Sequence, residues 1–141
     1  MYGVETCVHP EHQSRGVGSR LMNARFDLVR RLNLRGIIAG SLFMDYHKVA
    51  DQLTPEQYVR EVVRGLRYDS NLTKQLHKGF RVLNLIPNYT TDPRTLNWAA
   101  AIVWDNPDWH APKAHGRIIP GRFNAPRPAP QARAGQSARG I

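Results

Sequence analysis

Val8-His9-Pro10-Glu11-His12-Gln13-Ser14-Arg15-Gly16-Val17-Gly18-Ser19-Arg20-Leu21 joins a β-rich run to an amphipathic helix through a basic loop punctuated by glycine. Gly16 and Gly18 let the backbone approach an anion closely. The first N–H groups of the helix have no intrahelical acceptor, and the helix dipole adds partial positive charge at the same end. The expected ligand group is a pyrophosphate. The spacing Gln-x-x-Gly-x-Gly lacks the Lys-Ser/Thr of a P-loop, and it is not the Gly-x-Gly-x-x-Gly of a dinucleotide fold.

Outward from this stretch, Leu21, Ala24, Leu28 and Leu32 recur at helical spacing. Residues 33–36 supply a stop before Ile37-Ile38-Ala39-Gly40-Ser41-Leu42-Phe43, a short strand. A strand-helix-strand unit of this kind predicts parallel pairing. Further on, Leu72-Thr73-Lys74-Gln75-Leu76-His77-Lys78-Gly79-Phe80 reads as a short helix closed by glycine at C′, followed by the strand Val82-Leu83-Asn84-Leu85-Ile86. Between these units Thr54-Pro55-Glu56-Gln57 has the grammar of a capping box, with Leu53 placed to staple onto Tyr58. Tyr58, Val62 and Leu66, flanked by Val59 and Val63, then form an apolar stripe.

The pattern Val-x-Pro-x-x-Gln-x-x-Gly-x-Gly-x-x-Leu resembles the acetyl-CoA motif of the GNAT N-acetyltransferase superfamily, and the segment ending in Gly79-Phe80 resembles that family's second signature. The extra helix, Asn88-Tyr89 and the final strand Asn97-Trp98-Ala99-Ala100-Ala101-Ile102-Val103-Trp104 resemble GNAT modules fused to nitrilase-like carbon-nitrogen hydrolases. Core and edge packing is the plain reading of the two tryptophans.

The resemblance implies an α/β chain that transfers an acetyl group from acetyl-CoA to an amine. Cys7 and Val8 would lie along the pantetheine arm, and Gln13, Ser14, Arg15, Gly16, Val17, Gly18 and Ser19 would cradle the pyrophosphate. Backbone N–H groups of the strand would face the oxyanion, and Glu5 is the carboxylate placed to act as base. Read by its residue type alone, Glu5 is a strand carboxylate facing solvent or a cation. Where the family often carries a tyrosine as general acid this chain has Gln75, an amide that cannot donate a proton in that role; Tyr68 and His77 are the substitutes at hand.

The resemblance covers about residues 3–109, so the expected fold is partial: a mixed sheet with packed helices, lacking the strands and helices that precede the phosphate-loop strand in a complete family member. Such an open sheet edge invites self-association or a partner, including a hydrolase module. Residues 110–141 are rich in Ala, Pro, Gly and Arg and carry six of the nine net positive charges, which predicts a disordered basic tail. The tail makes a small nucleic-acid-binding protein one alternative; a non-catalytic CoA-binding remnant of an acetyltransferase-amidase fusion is another.

Cys7 is the single cysteine, which excludes an intrachain disulfide, and it is expected to be buried in its strand. With no signal peptide and no membrane-spanning run in the sequence, a cytoplasmic protein without a membrane partner is expected. His9 and His12 have metal spacing, yet no second ligand cluster accompanies them, and no metal site is expected.

Overall fold

The computed structural model describes residues 1–3 and 6–111. Glu5 and Pro112–Ile141, and with them the expected base and almost all of the expected tail, lie outside the described residues.

Among the described residues four strands form one sheet in the order β1-β2-β4-β3: β1 (Tyr2–Gly3), β2 (Gly36–Ser41), β3 (Arg81–Ile86) and β4 (Ala99–Asp105). Tyr2 and Gly3 pair in parallel with Ile38 and Ala39, as the strand-helix-strand pattern predicts. β4 enters between β2 and β3 and runs antiparallel to both. The β3–β4 ladder shifts register between Val82 and Asn84, which turns Leu83 out to solvent.

Among the described residues three α-helices supply one face of the core: α1 (Val17–Arg31), α2 (Pro55–Val63) and α3 (Leu72–His77). Phe26 and Val29 of α1, Tyr58, Val59 and Val62 of α2, and Leu72 of α3 join Ile37, Ala100, Ile102 and Trp104 of the sheet in one cluster. Phe26 stacks on Trp104 with ring centroids 4.3 Å apart. Phe43, Tyr46 and Tyr58 form a second aromatic group within it.

The helix ends follow the sequence closely. The Thr54 hydroxyl accepts from the Gln57 N–H at 3.3 Å while the Gln57 side chain accepts from the Thr54 N–H at 2.9 Å, closing the capping box. All three helices close with a residue in the left-handed region, Asn33, Gly65 and Gly79, with φ of 47°, 72° and 90°. In each case that residue's N–H and the next one's reach back to carbonyls of the last turn, as from Gly79 to Leu76 and from Phe80 to Gln75.

Other expectations are corrected. The α1 stripe of Leu21, Leu28 and Leu32 is exposed, because the helix turns Phe26 onto Trp104 and Val29 into the core instead. Leu66 lies beyond the end of α2 and is 73% exposed, since Gly65 stops the helix one turn early. The strand expected to run to Val8 is described only over Tyr2–Gly3, and residues 6–9 have no regular structure. Cys7 falls in that run and is exposed rather than buried. Among the described residues no helix is long and apolar enough to cross a membrane.

Candidate functional site

The run from Cys7 to Ser19 turns through a short 3-10 segment, Pro10–His12, and enters α1 at Gly16. His9 starts the turn: its carbonyl accepts from the His12 N–H at 2.8 Å, and its ring Nδ1 accepts weakly from the Glu11 N–H at 3.4 Å. The Gln13 side-chain amide then reaches back 3.0 Å to the Val8 carbonyl, tying the loop to the end of the preceding segment. Ser14 and Gly16 both adopt left-handed backbone, with φ of 58° and 75°, so the chain reverses sharply just before the helix.

The two glycines differ in what they do. Gly16 is required by its backbone, since an L-residue in the left-handed region costs roughly 1–2 kcal/mol. Gly18 has no such need. A Cβ there would meet only the Val8 side chain, at 3.9 Å, and its negative φ suits any residue. What Gly18 keeps clear is the space above the first turn of α1.

That turn is open. Gly16 as N-cap provides no side-chain acceptor, so the leading N–H groups of α1 point outward without a capping oxygen. No acidic residue sits in the first turn, while Arg15 and Arg20 lie exposed beside it. Val17 is half-buried and Ser19 exposed. Free N–H groups, a fifteen-residue helix dipole, local arginines and an absent side chain at position 18 fit the requirements of a phosphate group.

Gln75, on α3, is partly buried at the last residue of β2, where its side-chain oxygen accepts a hydrogen bond from the buried Ser41 hydroxyl. The pair holds α3 against the sheet. Tyr68 is 62% exposed and His77 is exposed, and neither contacts a residue of the 13–19 loop in the hydrogen bonds described. Among the described residues no group of three or more His, Cys, Asp or Glu side chains gathers as a metal site.

A carboxylate cluster missing from the sequence reading braces the loop that follows β2. Asp69 is fully buried and accepts four hydrogen bonds: from the Tyr58 hydroxyl at 2.8 Å and from the backbone N–H groups of Asp45, Asn71 and Leu72. Burial, and then the bond to Asp69, push the Tyr58 phenol well above its ordinary range. Asp45 bonds Lys48 at 2.6 Å and the Ser70 N–H at 2.7 Å, and the Lys48 bond leads in holding its carboxyl down at about 2. The only sequence hint was the Asp-Ser-Asn run at 69–71 before α3.

No family model matches the chain. Over 110 residues it is 42% identical to a probable hydrolase, YhcX, of Bacillus subtilis (strain 168), an alignment that takes in 77% of this chain and 21% of that protein. It is 29% identical over 106 residues to the uncharacterized N-acetyltransferase YkwB of the same strain, covering 75% of this chain and 47% of the relative. The chain thus spans less than half the length of the curated relatives it matches. Two solved structures share its fold: the GphF GNAT-like decarboxylase in complex with isobutyryl-CoA, at a TM-score of 0.59 and 21% identity, and the loading GNATL domain of CurA from Lyngbya majuscula, at 0.62 and 16%. They cover 70% and 74% of this chain, which in turn covers 52% and 54% of theirs. The chain carries a GNAT-superfamily fold, a mixed α/β sheet with its helices packed on one face.

Proposed function

We propose that this chain is a GNAT acyltransferase module that binds acyl-CoA, acetyl-CoA being the expected donor, at the 13–19 loop, and passes the acyl group to an amine. The observation that carries the reading is Gly18: the fold has no use for a glycine there, whereas a pyrophosphate lying over the first turn of α1 does. Arg15 adds charge at the same point. The fold shared with an isobutyryl-CoA complex supports a CoA thioester as the class of ligand. In the transfer, the amine nitrogen attacks the thioester carbonyl, the carbon–sulfur bond breaks, the ammonium proton is lost to a base and the thiolate leaves. Glu5 remains the proposed base. The lone Cys7 supports a cytoplasmic setting.

A second reading, an acyl-CoA-binding module without turnover that works beside a hydrolase, is favoured by Gln75 and by the likeness to a probable hydrolase.

Titration calorimetry of the full chain with acetyl-CoA tests the site. Gly18→Val and Arg15→Glu are expected to weaken binding at least about tenfold while the thermal midpoint stays within a few degrees. Gly16 is the poorer probe, because its substitution strains the backbone. Wild-type affinity in Gly18→Val overturns the reading. Release of free thiol with a panel of amines, beyond that with water, separates transfer from binding alone.

A further inference from the structure

On the sheet face turned away from the helices, Tyr2 of β1 and Tyr89 of the β3–β4 connection meet with their hydroxyl oxygens 3.1 Å apart. The Tyr89 ring lies directly on Gly40: a Cβ built there would stand 2.3 Å from the ring's Cζ and 2.4 Å from its oxygen. This is the one glycine of β2 that makes room for a side chain rather than for a neighbouring strand. The ring is held from its backbone as well, since the Tyr89 N–H donates to the Asn97 carbonyl at 2.8 Å and Asn88 before it is left-handed. Beside the pair on the same face, Ile38, which is Tyr2's partner in the ladder, is 43% exposed.

Two hydroxyls in mutual contact use one O–H between them and leave the second free to donate outward. The bond with Tyr2, and then burial, raise the Tyr89 phenol above its ordinary range, so the Tyr89 hydroxyl serves as a donor rather than a base.

Position connects this pair with the phosphate loop. From Tyr2 the chain leads through residues 6–8, which pair with no described strand and so present open backbone amides, to the loop and α1. Whatever its conformation, a chain of six residues reaches no further than about 20 Å. A CoA arm anchored by its phosphates at α1 and lying along residues 6–8 therefore brings its thioester end back toward Tyr2.

We infer that the Tyr2–Tyr89 hydroxyl pair, set on Gly40, is the polar contact for the acyl carbonyl of a bound acyl-CoA, with Ile38 as the apolar surface beside the acyl chain. This rests on the acyl-CoA reading above and adds the acyl end of the site to it.

The test compares acetyl-CoA with CoA by titration calorimetry on the full chain. The wild type is expected to bind acetyl-CoA more tightly than CoA. Tyr2→Phe and Tyr89→Phe, which remove one oxygen each, are expected to cut that preference about three- to tenfold and leave CoA affinity unchanged. Gly40→Ala, which keeps both hydroxyls and pushes the ring aside, is expected to do the same. An unchanged preference in all three overturns the inference and leaves the phosphate site standing. An equal loss of both ligands in the variants also overturns it, since the pair would then only shape the fold. A wild type that binds neither ligand overturns the acyl-CoA reading itself.

Discussion

Asp45 shows how a single side chain couples this fold to pH. Its carboxyl is held at about 2, below the ordinary 3.8, mainly by the bond from Lys48 and with help from the Ser70 N–H. A carboxyl depressed in the folded state adds stability that is fully present above about pH 4 and is lost as the pH falls toward 2. Because Lys48 is 63% exposed, solvent screens the pair, and the contribution is on the order of 1–2 kcal/mol. Chemical denaturation of wild type and Asp45→Asn at pH 7 and pH 2.5 should therefore show a gap that narrows by about that amount at the lower pH. A constant gap would mean that the carboxylate is not depressed. Asp45 was invisible in the sequence because its partners, Ser70 and Lys48, come from both the near and the far chain. Gly18 was visible, since a glycine at the second position of a helix has few structural uses.

At the scale of elements, the start of α2, its inward face of Tyr58, Val59 and Val62, and the ends of α1 and α3 were legible, whereas the end of α2 and the face of α1 were not. Thr54, Gln57 and Gly79 act through bonds to residues within five positions, so local sequence contains the whole cause; Gly65 bonds just as locally, but the apolar stripe running on to Leu66 masked its stop. The face of α1 depends on a distant strand. Leu21, Leu28 and Leu32 make as regular a stripe as Met22, Phe26 and Val29, and only the stacking of Phe26 on Trp104 decides which one turns inward. Urea denaturation checks that choice: Val29→Ala should cost about 2 kcal/mol, and Leu28→Ala less than about 0.5 kcal/mol. A larger loss for Leu28 would place the opposite face of the helix on the sheet.

At the scale of the whole molecule, the parallel β1-α1-β2 unit could be read from periodicity and its stop signals, but the insertion of β4 between β2 and β3 could not. The run Ala99-Ala100-Ala101-Ile102 is apolar at every position, as a central strand covered on both faces must be, and that says nothing about which neighbours it takes. The loop from Gln13 to Ser19 was legible because its glycines and arginine are contiguous. The Tyr2–Tyr89 pair was not, because 87 residues separate its members. Whether acyl-CoA is held by this loop is read out by amide hydrogen exchange of the full chain with and without acetyl-CoA. Exchange is expected to slow over residues 6–8 and 14–19, where open N–H groups gain phosphate and amide partners, with little change in α2. Acetyl-CoA bound with its protection elsewhere, or saturating ligand with no protection at the start of α1, would contradict binding at this loop.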